Sequence, residues 1–178
     1  MDKGIFSKTF ATANVDDNFA IITSLGYDAT QFNFASAGLP SLPDAITDEK
    51  IEEIATAARK HGVRIEAVSA TFNMTHPDQA VIDKGMASLT VICEAAARLG
   101  SPLVTLFTGT MDAEDQWRFH PDNSTPQAWQ TLRESMAQAL QIAERYGVAL
   151  GIEPELANID NSAAKARQWI DEMGSPRL

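Results

Sequence analysis

The stretch Gly147-Val-Ala-Leu-Gly-Ile-Glu-Pro-Glu-Leu-Ala-Asn158 decides the fold. Its apolar run from Val148 to Ile152 is short, follows a glycine and stops at Glu153 and Pro154. A parallel strand covered on both faces looks like this, because it lacks the polar alternation of a half-exposed strand. A carboxylate where such a strand emerges is placed for chemistry, so Glu153 is the first candidate catalytic residue.

Upstream of this stretch the same unit recurs. Helical patterns end in Leu25-Gly26, His61-Gly62, Leu99-Gly100, Tyr146-Gly147 and Met173-Gly174, where a left-handed residue closes a helix. Apolar runs precede the helices at Gly4 to Phe10, Ala29 to Phe34, Val63 to Ala70, Leu103 to Phe107 and Val148 to Ile152. The helices are one-sided at three and four spacing: Val15, Phe19, Ile22 and Leu25 in the first, Ile51, Ile54, Ala55 and Ala58 in the second. Ile82, Met86, Leu89 and Ile92 mark the third, Trp129, Leu132, Met136 and Leu140 the fourth, and Trp169, Ile170 and Met173 the fifth. Thr47, Thr125 before Pro126, and Asn161 or Ser162 read as helix starts.

Strand and helix thus alternate five times, which predicts right-handed parallel crossovers in a (β/α)-barrel or an open doubly wound sheet. No glycine-rich phosphate loop follows a strand, which removes the main signature of the second. The loops after the strands are rich in polar and aromatic residues, while the turns after the helices are short. The expected architecture is therefore α/β, a TIM-type (β/α)-barrel of about five βα units out of eight, in one partial domain over residues 1–178.

Composition limits the partners. The 178 residues are 44% hydrophobic, enough for one packed core. With 24 acidic and 14 basic residues the net charge is -10, which repels a phosphate backbone and argues against nucleic acid. No apolar run nears the roughly 20 residues of a membrane span, and no signal peptide is evident, so the expected location is the cytoplasm. The lone Cys93 falls in a helical apolar pattern and reads as core.

Three loop strings carry the site: Thr71-Phe-Asn-Met-Thr-His-Pro77, Trp117-Arg-Phe-His-Pro-Asp-Asn123 and Gly151-Ile-Glu-Pro-Glu-Leu-Ala-Asn158. In this order and spacing they resemble the sugar phosphate isomerase/epimerase family, the xylose isomerase-like TIM barrels. The resemblance covers nearly the whole chain, and its third string is the most specific. It implies a divalent metal near the barrel axis (Mn, Mg, Co or Zn), with Glu153 as a metal ligand and as one of a catalytic glutamate pair. It also implies proton transfer next to a carbonyl of a small sugar or hydroxy-carbonyl substrate. The family's remaining ligands, an aspartate, a histidine and a second glutamate, come from strands six to eight. A complete barrel needs roughly 250 residues. The chain alone is therefore expected to be inactive and to bind metal weakly or not at all.

Each candidate has a structural rival. Glu153 is a ligand or a solvated carboxylate, and its context favours the ligand. Glu155 reads as part of an acidic loop, and His61 as a cation at the carbonyl end of its helix. Asn73 and His76 offer amide and imidazole partners to sugar hydroxyls, or else satisfy turn backbone. Trp117, His120 and Asn123 stand in a long loop that either covers substrate or folds on its own small core. Asn158 either orients Glu153 or caps its turn. Trp129 and Trp169 read as core.

Two other functions stay in view. The zinc-dependent AP endonucleases share the strand order, but need histidines after both the third and fourth strands, and Thr108 and Gly109 follow the fourth here. A partial barrel could instead be a non-catalytic binding or assembly module, pairing its exposed sheet edges into a homo-oligomer. The ending Met173-Gly-Ser-Pro-Arg-Leu178 reads as a helix stop and a turn into another strand, so a longer natural chain is expected.

Overall fold

A computed structural model describes residues 3–178. Strands β1 (Gly4–Phe6), β2 (Ala29–Phe32), β3 (Arg64–Ser69), β4 (Leu103–Leu106) and β5 (Ala149–Ile152) form one parallel sheet in sequential order. Helices α1 (Val15–Ser24), α2 (Asp48–His61), α3 (Gln79–Arg98), α4 (Pro126–Tyr146) and α5 (Ala163–Met173) alternate with them. Sequential parallel order is the arrangement of a barrel wall rather than of a doubly wound sheet, whose order reverses at a switch point.

The side chains explain the layering. Phe32, Val68, Val104, Leu106 and Leu150 point to the helical side and are buried. Alternate positions point the other way. Register pairs Gln31 with Ala67, Ser69 with Thr105 and Thr105 with Gly151, so these small and polar residues share the concave face. An apolar outer row thus seals the sheet under its helices, and the inner row leaves room and hydrogen-bonding capacity.

Local signals hold at the helix ends. Thr47, Thr125 and Ser162 accept hydrogen bonds from the amides of Lys50, Ala128 and Lys165, satisfying donors that have no partner within the helix. Gly147 closes α4 at φ 72° and turns the chain into β5. The aromatic core places Phe32 edge-on to Phe19 and Phe34, with ring centroids 5.9 and 5.4 Å apart. Trp129 and Trp169 stack at 4.1 Å and join α4 to α5.

Three expectations change in detail. The first apolar run stops as a strand at Phe6, because the Ser7 hydroxyl takes the Asn33 amide at 2.9 Å and Ser7–Thr9 wind into a 3-10 turn. Leu25 and Ile170 fall on their helices' apolar spacing but are exposed, whereas Ala57 is buried between α2's predicted positions. The exposed edge of β5 is partly covered: the Leu150 amide donates to the Arg177 carbonyl at 2.6 Å. Among the described residues no helix is long and apolar enough to cross a membrane.

Candidate active site

Glu153 follows β5 directly, and its amide donates to the Leu106 carbonyl of β4 at 2.8 Å, extending the ladder by one rung. Two residues beyond Gly151, its side chain falls on the concave face. There the Gln31 amide nitrogen donates to Glu153 Oε1 at 2.8 Å and to Thr105 Oγ1 at 2.7 Å. Strands two and five are not neighbours, so only curvature of the sheet lets this bond form. The register shifts between Thr30 and Gln31, a local irregularity of the kind that re-aims a side chain.

Gln31 and Thr105 were not singled out by the sequence. Their signal is a polar residue inside an otherwise apolar strand, and it is ambiguous until the partner is known.

The candidate residues of the loops divide by what their polar atoms do. Asn73 is buried; its Oδ1 accepts from the Thr110 and Thr75 amides, and its Nδ2 donates to the Thr110 carbonyl at 2.8 Å. Asn123 accepts from the Met111 amide at 2.8 Å and donates to the Ala157 carbonyl at 2.8 Å. Asn158 accepts from the Gly109 amide at 3.0 Å and donates to the Gln116 carbonyl at 3.2 Å rather than to Glu153. These three amides stitch the loops after β3, β4 and β5 into one mouth. Buried backbone groups in such loops need partners, and an asparagine supplies both a donor and an acceptor.

The rings are placed differently. His76 Nδ1 accepts from the Asp78 amide at 2.9 Å, leaving Nε2 to donate to the Ala113 carbonyl at 3.1 Å. His120 Nδ1 accepts from the Asp122 amide at 3.2 Å and caps the 3-10 turn Pro121–Ser124. Trp117 is 53% exposed and lies against Phe107, with centroids 4.8 Å apart. His61, in the last turn of α2, pairs with Asp16 of α1 at 2.9 Å.

Asp112 fastens the long loop after β4. It accepts from the Glu114 and Asp115 amides, both at 2.9 Å, and from the Arg118 guanidinium at 2.8 Å. Arg118 first, and then the two amides, hold its carboxyl well below the usual carboxylate range. Asp160, at the far end of the β5–α5 loop, behaves oppositely. Burial raises its pKa, against the opposing Ser162 amide and Lys165 charge, and its Oδ2 has no partner.

A family model described as xylose isomerase-like TIM barrel matches residues 19–178. The chain belongs to that family. Among solved structures, this xylose isomerase-like barrel is similar to the 3-keto-D-glucoside 4-epimerase of E. coli, with 19% identity and a TM-score of 0.75 over 99% of this chain and 66% of that one. It is also similar to an L-ribulose 3-epimerase, with 19% identity and a TM-score of 0.75 over 99% and 59%. A xylose isomerase-like TIM barrel protein from Mycobacterium smegmatis in complex with magnesium aligns with 15% identity and a TM-score of 0.72 over 99% and 62%. At these identities the likeness is one of fold. This chain spans no more than 66% of any of the three. A comparison with curated proteins gives no match.

Among the described residues no three histidine, cysteine, aspartate or glutamate side chains come together as a metal-holding group. Glu153 is one carboxylate, with Oε1 already accepting from Gln31, and one carboxylate is not a metal centre.

Proposed function

We propose that this chain carries the β5 carboxylate of a sugar isomerase or epimerase site, in which Glu153 moves a proton at the carbon beside a carbonyl. The bond from Gln31 to Glu153 at 2.8 Å carries the reading. It holds a carboxylate at the carboxyl ends of the strands, where barrel enzymes build their sites, and fixes one oxygen so that the other has a set direction. A base at this position takes the carbon-bound proton, and the electron pair moves to the carbonyl oxygen to give an enediolate. A proton delivered to the opposite face by a second acid inverts the carbon; returning the abstracted proton to the neighbouring carbon moves the carbonyl.

Glu153 also serves as one metal donor in this reading, with the remaining donors outside the set these residues supply. The chain alone therefore binds Mn weakly, with a dissociation constant on the order of 1 mM or above, and turns over no sugar. A titration followed by electron paramagnetic resonance measures the first, and a ketose assay the second. Equal Mn binding by Glu153→Gln removes Glu153 as a donor, and turnover by the 178-residue chain refutes the partial site. In any form that turns over a sugar, Glu153→Gln lowers kcat roughly 100- to 10,000-fold.

A further inference from the structure

Two hydroxyls on the concave face keep a proton to give. Ser69 of β3 is 3% exposed, and its side chain has no hydrogen-bond partner among the described residues. The side-chain polar atoms that are both sealed from water and unpartnered belong to Asn18, Ser88, Asp160 and Trp169. The Ser69 hydroxyl is not one of them, so it opens on the concave space. Thr105 of β4, 7% exposed, accepts from the Gln31 amide at 2.7 Å and donates to nothing among the described residues.

Register brings the two hydroxyls together. Ser69 pairs with Thr105 across neighbouring parallel strands, which run about 4.8 Å apart. Two donors at that spacing can share one oxygen atom lying about 2.8 Å from each. Ala67, two residues before Ser69 on the same face, and Gly151, opposite Thr105, carry little or no side chain, so neither fills the space between. Gln31 ties the pair to the carboxylate. Its nitrogen is 2.7 Å from Thr105 Oγ1 and 2.8 Å from Glu153 Oε1, which sets hydroxyl and carboxylate within two hydrogen-bond lengths of each other.

The donors select the atom they hold. Both hydrogens of the Gln31 amide are spent on Thr105 and Glu153, and Thr105 has used an acceptor site on Gln31, so what the face still offers beside Glu153 is O–H donors. A carbonyl oxygen accepts two such bonds and gives none. We infer that Ser69 and Thr105 hold the substrate's carbonyl oxygen and stabilise the negative charge it gains when Glu153 takes the proton from the adjacent carbon. In that step the C–H bond breaks, an O–H bond forms on Glu153, and the electron pair passes through the new C=C bond onto the held oxygen. Glu153 becomes neutral as the oxygen becomes anionic, so the two do not repel, and donors already in place need no rearrangement. The pairing with Glu153 rests on the function proposed above, whereas the oxygen site rests on Ser69 and Thr105.

The test uses the chain as it stands, in EDTA so that no chelated ion contributes, with glycolohydroxamate as a planar mimic of the enediolate. Two-dimensional NMR follows the side-chain amide of Gln31, which touches both Thr105 and Glu153. The wild type binds with a dissociation constant on the order of 1 mM, and Ser69→Ala and Thr105→Val each weaken binding roughly tenfold or more. Thr105→Ser, which keeps the hydroxyl, binds as the wild type does. Glu153→Gln weakens binding too, because the hydroxamate N–H and O–H donate to the carboxylate. No shift in the folded wild type, full affinity in Ser69→Ala, or a Thr105→Ser as weak as Thr105→Val overturns the oxygen site. If Ser69→Ala and Thr105→Val lose binding while Glu153→Gln keeps it, the oxygen site stands and the reading of Glu153 falls. Should Thr105→Val not fold, Ser69→Ala, which removes a single unpartnered oxygen, still decides.

Discussion

Replacing Asn73 by alanine should destabilise the barrel mouth rather than simply weaken a ligand. The Asn73 side chain accepts from the Thr110 amide at 3.0 Å and the Thr75 amide at 3.2 Å, and donates to the Thr110 carbonyl at 2.8 Å. Thr75 and Thr110 are both 0% exposed, so water does not replace these bonds without opening the loops. Each buried backbone group left without a partner costs about 1–3 kcal/mol. Taking the low end for three groups gives a loss of about 3–4 kcal/mol, a large share of the 5–15 kcal/mol that usually holds a domain folded. For a chain of this size that lowers Tm by roughly 6–16 °C. Differential scanning calorimetry measures it. Asn73→Asp keeps both acceptor bonds but sets an oxygen against the Thr110 carbonyl, and should melt between the two. A variant that melts within about 2 °C of the wild type would refute the argument. It would return Asn73 to the role of a free substrate contact.

Two further predictions come from packing and charge. A Cβ at Gly85 would lie 2.0 Å from the Phe72 ring, so Gly85→Ala overpacks the contact between α3 and the β3–α3 loop. Its overpacking cost of about 1–3 kcal/mol exceeds the gain of about 1 kcal/mol in helix propensity, and urea denaturation should show net destabilisation; a stabilised variant contradicts this. For Asp160, whose folded pKa is raised by burial, the carboxyl favours folding most below the ordinary carboxylate range and loses that contribution as pH rises through the raised value. Asp160→Asn should therefore melt higher than the wild type at pH 7, with the difference shrinking towards pH 4 and below, and a pH-independent difference rules this out.

The positions of the elements were legible in the sequence because they depend on neighbours within a turn or two. Thr47, Thr125 and Ser162 cap helices where capping residues precede apolar periodicity. The segment ending in Glu153 emerges as a strand at the carboxyl ends of the sheet, as its apolar run requires. Leu25 shows the limit of periodicity: it sits at the correct spacing but beyond the packed turn of α1, and remains 59% exposed.

The site was legible only in part. Asn73, Asn123 and Asn158 were visible as polar loop residues, yet each has a partner far along the chain, 37, 34 and 49 positions away, and nothing local distinguishes an amide that binds backbone from one that binds sugar. Gln31 and Glu153 are separated by 122 positions.

By itself, the sequence determined that five parallel strands alternate with five helices and that a carboxylate closes the fifth strand, because apolar period, caps and turn residues act over a few ångströms. Which side chain meets that carboxylate was decided by the tertiary structure alone. The curvature of the sheet brings β2 across to the end of β5, and curvature is a property of all the packed strands together.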